Sequence, residues 1–297
     1  MTQPAADVVP RTAAEPRSAA PLVEVEGLGK SFPARRDLLG RVVERHHAVR
    51  DVGFTIAPGE TLGIVGETGA GKSTVGRMVL RLVEPDTGSV RLFGRDALAL
   101  KGRELRSLRR RAQMIFQDPF SSLDPRMLVR DQVGEPLLVH RGLPRAERDE
   151  LVVGLLERVG MRPDHLDRYP REFSGGQLQR IAIARALATD PDLIVCDEPV
   201  AALDVSIQAQ VLNLLLDLQA ERGIGFLFIS HDLSLVRFLA HRTAVMKQGE
   251  IVEAGPTEQL FTDPQHEYTR ALVSAIPRLV PRRRRATTPA VPLAREA

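Results

Sequence analysis

The sequence predicts an α/β fold built on a mostly parallel sheet. Three observations predict it. Short runs at Thr61–Val65, Leu193–Cys196 and Gly225–Ile229 are continuously apolar, as strands buried on both faces are. Each run is followed by glycine or polar residues: Gly66, Asp197-Glu198 and Ser230-His231-Asp232. Open α/β sheets bind ligands at those strand ends. Stretches with apolar residues at helical spacing lie between the runs.

Taken in order, residues 1–21 are rich in Ala and Pro without a period, which predicts a disordered lead-in. Val23-Glu24-Val25-Glu26 alternates as a half-exposed strand does. A helical stretch, Val75 to Leu82, follows the run at 61–65. The region from about 119 to 180 carries little strand pattern and reads as a helical insertion. Within it, Leu151, Val152, Leu155, Leu156 and Val159 mark a helix stopped by Gly160. Gln177 to Ala188 places Ile181, Ala184 and Leu187 at helical spacing. Val205 to Glu221 sets Ile207, Val211, Leu214, Leu215 and Leu218 on one face, and Gly223 stops it. From Pro281 onward, Arg282–Arg285 opens a basic tail that reads as a solvated, unfolded charge run.

Composition excludes several classes. With 297 residues, 43% hydrophobic and 27% charged, the chain is globular rather than disordered. A net charge of +3 does not describe a polybasic nucleic-acid binder. Cys196 is the single cysteine, so an intramolecular disulfide, a four-thiolate zinc site and a cysteine-ligated iron–sulfur cluster are all excluded. No run approaches the roughly 18 apolar residues of a membrane span, so a membrane role would be peripheral.

Gly66-Glu67-Thr68-Gly69-Ala70-Gly71-Lys72-Ser73-Thr74 fits the phosphate-loop pattern G-x-x-x-x-G-K-[ST]. It lies between a predicted strand and a predicted helix, the context the motif needs. Glycines let backbone N–H groups curl around phosphate oxygens, and the helix that follows turns its positive end toward the same anions. Lys72 then reaches the β- and γ-phosphates, and the Ser73 hydroxyl suits Mg²⁺. Asp197-Glu198 closes another apolar run. An Asp there can hold the metal through water, and a Glu beside it can polarise an attacking water.

Phe173-Ser174-Gly175-Gly176-Gln177 resembles the LSGGQ signature of the ATP-binding cassette (ABC) ATPases. Other motifs of that family appear in order around it: Gln117 in the Q-loop, Asp204 in the D-loop and His231 as the switch histidine. The resemblance spans about residues 22–280. Within the family, the segments 120–127, 203–212 and 263–272 are similar to the oligopeptide/dipeptide importer ATPases, a group that includes nickel and glutathione importers. The chain departs from some of these in lacking a C-terminal cysteine cluster, and Ala201 stands where relatives often have Ser.

The resemblance implies a P-loop core with an N-terminal antiparallel β region and a helical subdomain near 119–180. It implies ATP and Mg²⁺ as ligands. Two ATPase subunits would pair head to tail, each ATP lying between Lys72 of one and Ser174, Gly175, Gly176 and Gln177 of the other. Glu198 would be the general base, His231 would contact the γ-phosphate, and Gln117 would sense metal and water. Asp204 would link the two sites. Phe32, upstream of the loop, is the expected adenine stack, with His47 the weaker alternative. Two membrane permease subunits at the cytoplasmic face of the membrane would be the direct partners, and an extracytoplasmic solute-binding protein an indirect one. An ATPase of this type acting on nucleic acid would show a long coiled-coil insertion or two cassettes, and neither is present in this sequence.

Overall fold

The computed structural model describes residues 20–36 and 42–276; most of the expected lead-in and the whole Arg282–Arg285 tail lie outside them. Two sheets organise the chain. β1 (Val23–Arg36) and β2 (Val42–Ile56) form a long antiparallel pair. β4 (Thr87–Leu92) and β5 (Arg95–Asp96) extend it to the order β2-β1-β4-β5. The second sheet holds β3 (Thr61–Val65), β6 (Ala112–Ile115), β7 (Leu193–Asp197), β8 (Gly225–Ser230), β9 (Arg242–Lys247) and β10 (Glu250–Pro256), in the order β10-β9-β3-β8-β7-β6. Every pairing in it is parallel except β10 with β9.

Two hydrophobic clusters explain why the central strands are apolar throughout. Leu193, Val195, Leu227 and Ile229 pack into one cluster with the antiparallel sheet and with α1 (Lys72–Val79). Ile194, Cys196, Phe226 and Phe228 alternate with them and pack into the other. Successive side chains of a strand point to opposite faces, so a strand covered on both faces must be apolar at every position. Cys196 is one of these core residues: it is fully buried, and burial pushes its thiol pKa far up, so it behaves as a small apolar side chain.

The helical region is as expected in kind and different at its edges. α2 (Gly102–Arg111) precedes β6. Between β6 and β7 lie α3 (Pro119–Ser122), α4 (Val129–Arg141), α5 (Arg145–Arg158) and α6 (Gly175–Leu187), with no strand among the described residues. α6 starts at Gly175, two residues before the expected Gln177, because Ser174 caps it. Gln177 N–H donates to Ser174 Oγ (3.4 Å), and Ser174 N–H donates to Gln177 Oε1 (3.0 Å), a capping box. The insertion therefore does not close at 180, which falls inside α6. Arg185, near the end of α6, donates to Glu135 of α4 (2.6 Å) and to the Ser122 carbonyl (2.9 Å), tying the segment after Gln117 to the subdomain.

α7 (Val205–Arg222) ends at Gly223, as its spacing predicts. α8 (Leu233–Leu239), α9 (Thr257–Thr262) and α10 (Glu267–Ser274) complete the helices of the described residues.

Candidate active site

Four adjacent parallel strands build the site. In the order β3-β8-β7-β6 they run in one direction, so their C-terminal ends share one edge. β3 delivers the phosphate loop, β8 His231, β7 Asp197 and Glu198, and β6 Gln117.

The loop is fixed from outside by backbone. A Cβ on Gly66 would lie 2.1 Å from the Met246 carbonyl, and one on Gly71 would lie 2.1 Å from the Ala48 carbonyl. Gly71 also has φ 100°, which L side chains rarely adopt. The β9–β10 turn adds a bond from Gly249 N–H to the Ala70 carbonyl (3.1 Å). Gly71→Ala is expected to lose about 2–4 kcal/mol of stability, since the clash is with backbone on a strand that cannot give way. Denaturant unfolding measures it, and a variant as stable as the parent would refute the argument.

Lys72 is buried, and Nζ donates to the carbonyls of Gly66 (2.8 Å) and Glu67 (2.9 Å). Burial lowers its pKa, while Glu198 and Asp197 pull the other way. Ser73 Oγ donates to Asp197 Oδ1 (2.6 Å). Asp197 is wholly buried, and its Oδ2 has no hydrogen-bond partner; Arg77 Nη2 stands 3.7 Å away. Desolvation raises the Asp197 pKa, and the Ser73 bond and Arg77 offset part of that. A hydroxyl beside a buried carboxylate with an unanswered oxygen is a donor set that fits a hard divalent cation such as Mg²⁺.

Glu198 is held at φ 47°, an unusual backbone for a non-glycine residue, by its N–H on the Ile229 carbonyl (2.9 Å). Gln117 Nε2 donates to Glu198 Oε2 (3.0 Å). His231 Nδ1 lies 3.2 Å from the same oxygen, and a carboxylate only accepts, so Nδ1 carries the proton. Both bonds end on Oε2, and Oε1 receives neither. The Gln117 amide nitrogen is thereby engaged, leaving its own Oε1 as the atom able to reach a metal.

The remaining expected residues stand apart from this cluster. Ser174 and Gln177 bond one another at the start of α6. A Cβ on Gly175 would meet Leu203 and Phe120, and one on Gly176 would meet Ile207, so these glycines pack on the subdomain and α7 rather than on the loop. Asp204 is exposed before α7 and makes no side-chain cap bond. Phe32 is 38% exposed on β1, opposite His46, with Lys30 Nζ 5.8 Å from its ring centroid. It is therefore not a core residue. Thr68 and Gly69 complete the loop, and Thr74 continues α1 behind Ser73.

The profile of the family described as ABC transporter matches residues 49–201. The chain belongs to that family. A second profile, described as the oligopeptide/dipeptide transporter C-terminal region, matches residues 252–296 of this ABC chain. It is 54% identical over 269 residues, 91% of its length, to the glutathione import ATP-binding protein GsiA of Pectobacterium atrosepticum. It is 53% identical over 265 residues to GsiA of Escherichia coli K12. It spans 43% and 42% of those two proteins' lengths. Among solved structures, it is similar to a dimeric ATP-binding cassette in a post-hydrolysis state bound to ADP and Pi, with TM-score 0.71, 29% identity, 79% of this chain covered and 98% of that one. It also resembles a part of the ABC transporter complex cbiONQ from Clostridium perfringens, with TM-score 0.69, 26% identity, and 86% and 96% covered.

Sequence reasoning missed two site neighbours. Arg77, one helical turn after Ser73, was within reach of a spacing argument. Tyr268, whose hydroxyl meets Glu67 N–H at 3.3 Å, was not, because 201 residues separate the two.

Proposed function

We propose that this chain is the ATP-hydrolysing, energy-coupling subunit of an importer for peptides or a related small solute such as glutathione. The observation that carries the reading is the carboxylate of Glu198, oriented through one oxygen by Gln117 and His231 beside a phosphate loop. The loop amides and Lys72 hold the β- and γ-phosphates. Ser73 and Asp197, with the Gln117 carbonyl, hold Mg²⁺, which supplies charge neutralisation on the phosphate oxygens. Glu198 Oε1 accepts a proton from the attacking water, and His231 Nε2 faces the γ-phosphate. Phe32 stacks on adenine.

A second ATPase subunit completes each site. The α6 N-terminus, formed by Ser174, Gly175, Gly176 and Gln177, offers its positive end and the Gly175 and Gly176 N–H groups, which the capping box does not use, to a γ-phosphate held by the partner subunit. Asp204, ahead of α7, joins the two sites. The solute reading rests on the similarity to GsiA and on the C-terminal region match.

A cavity of about 360 Å³ between β6, α4 and α6 is the expected seat of a membrane subunit. Leu82, Phe116 and Val139 on its wall are 47%, 39% and 51% exposed, an apolar face that suits a docked helix. Among the described residues no helix is long and apolar enough to cross a membrane. On the importer reading the chain acts from the cytoplasmic surface of its permease subunits. A solute-binding protein outside the membrane would be an indirect partner. A tagged pull-down from gently solubilised membranes tests this: two integral membrane subunits should co-purify. Recovery of soluble nucleic-acid proteins alone would overturn the importer reading.

A further inference from the structure

The C-terminal region lies outside the phosphate loop's own motif, yet one of its side chains touches that loop. Tyr268, on α10, is 9% exposed, and its ring packs in the core shared with the subdomain. Its hydroxyl accepts the Glu67 N–H (3.3 Å). Lys247 Nζ, at the end of β9, lies 4.7 Å from the ring centroid. The start of α10 is itself fixed. Glu253 on β10 accepts the N–H groups of Gln265 (2.8 Å) and His266 (3.0 Å), and His266 Nδ1 accepts the Tyr268 N–H (3.1 Å). The hydroxyl is thus delivered by a rigid path from the sheet.

Glu67 is a sensitive place for such a bond. Its N–H faces Tyr268, and its carbonyl accepts Lys72 Nζ (2.9 Å). The residue before it, Gly66, lies against the Met246 carbonyl, 2.1 Å from where a Cβ would sit. Rotation about Glu67 would therefore move the carbonyl that steers the Lys72 ammonium. We propose that Tyr268 is a positioning residue for the phosphate loop, through which the C-terminal region sets the affinity of the site for nucleotide. The inference rests on the reading of residues 66–74 as the nucleotide loop.

Tyr268→Phe keeps the ring and its packing and removes only the hydroxyl. One net hydrogen bond corresponds to an affinity loss of about three- to tenfold. MgATP affinity by calorimetry, KM and kcat, and the melting temperature without nucleotide should be measured on the full chain. Leu260→Ala, at a buried side chain of α9, serves as a purely structural comparison. The expected result is weaker MgATP binding and a raised KM for Tyr268→Phe with kcat near the parent's. Leu260→Ala should melt lower and bind MgATP as the parent does. Unchanged affinity in Tyr268→Phe overturns the inference. So does equal weakening in both variants, which would make the effect one of general stability. A parent chain that binds no MgATP overturns the nucleotide reading itself, and this inference with it.

Discussion

Glu198→Gln should hydrolyse ATP at least about a hundredfold more slowly than the parent while binding it no more weakly, because general-base catalysis contributes about 10²–10⁴-fold. The substitution disturbs little else. The new side chain has the same shape, and its amide oxygen can still accept from Gln117 Nε2 and His231 Nδ1, which now lie 3.0 and 3.2 Å from Oε2. The φ of 47° is no harder for Gln than for Glu. What disappears is the ability to take a proton. The charge lost is also one that faces Lys72 and would repel phosphates, so nucleotide affinity should hold or rise. With hydrolysis blocked and binding intact, ATP should hold two chains together, and the variant should run as a dimer in ATP and a monomer without it. Steady-state turnover and size-exclusion chromatography check both halves. Turnover equal to the parent's would remove Glu198 as the base.

The residues that converge on this site were legible in the sequence to unequal degrees, for physical reasons. β3, β7 and β8 are covered on both faces, so burial wrote continuous apolar runs, and their shortness and the glycine or polar residues that end them mark strands. The groups at their ends follow by position alone. β2 was invisible because its first part, Glu44-Arg45-His46-His47, is exposed on both sides and held by pairing with β1, while its buried residues Ala48, Val49, Val52 and Ile56 do not alternate two apart. β10 is only partly buried, and its register with β9 comes from the turn at Gln248-Gly249, where both residues have positive φ. Gln117 sits after a four-residue strand too short to show a period, and only the family resemblance singled it out. Contacts such as Tyr268 with Glu67 exist only once the sheet is assembled, and no local pattern encodes them.

Asp197 shows how the same chemistry trades against stability, and Asp197→Asn should make the nucleotide-free chain more stable while removing its response to Mg²⁺. Folding takes this carboxylate wholly out of water with one oxygen bonded to Ser73 and the other without a hydrogen bond, 3.7 Å from Arg77. Desolvation raises its pKa above the ordinary 3.8. Between that value and the raised one, the folded state binds more protons than the unfolded state. Stability therefore falls as pH climbs through the window, and above the raised value the full cost of the buried charge is present. An amide keeps an oxygen for the Ser73 hydroxyl and carries no charge, so the gain expected at pH 7 is about 1 kcal/mol. The variant should also lose the decline on the alkaline side of the carboxylate range. Ligand binding then reverses the order. A ligand at a hundred times its dissociation constant stabilises the folded state by about 2.7 kcal/mol. The parent should show a gain of that kind that depends on Mg²⁺, whereas the variant should gain no more from MgATP than from ATP in EDTA. Denaturant unfolding at pH 7, with and without Mg²⁺ and nucleotide, measures each term. A variant less stable than the parent without ligand would mean that the Ser73 and Arg77 contacts outweigh the cost of burial. A variant with the parent's Mg²⁺ dependence would mean that the unanswered oxygen is not where the metal binds.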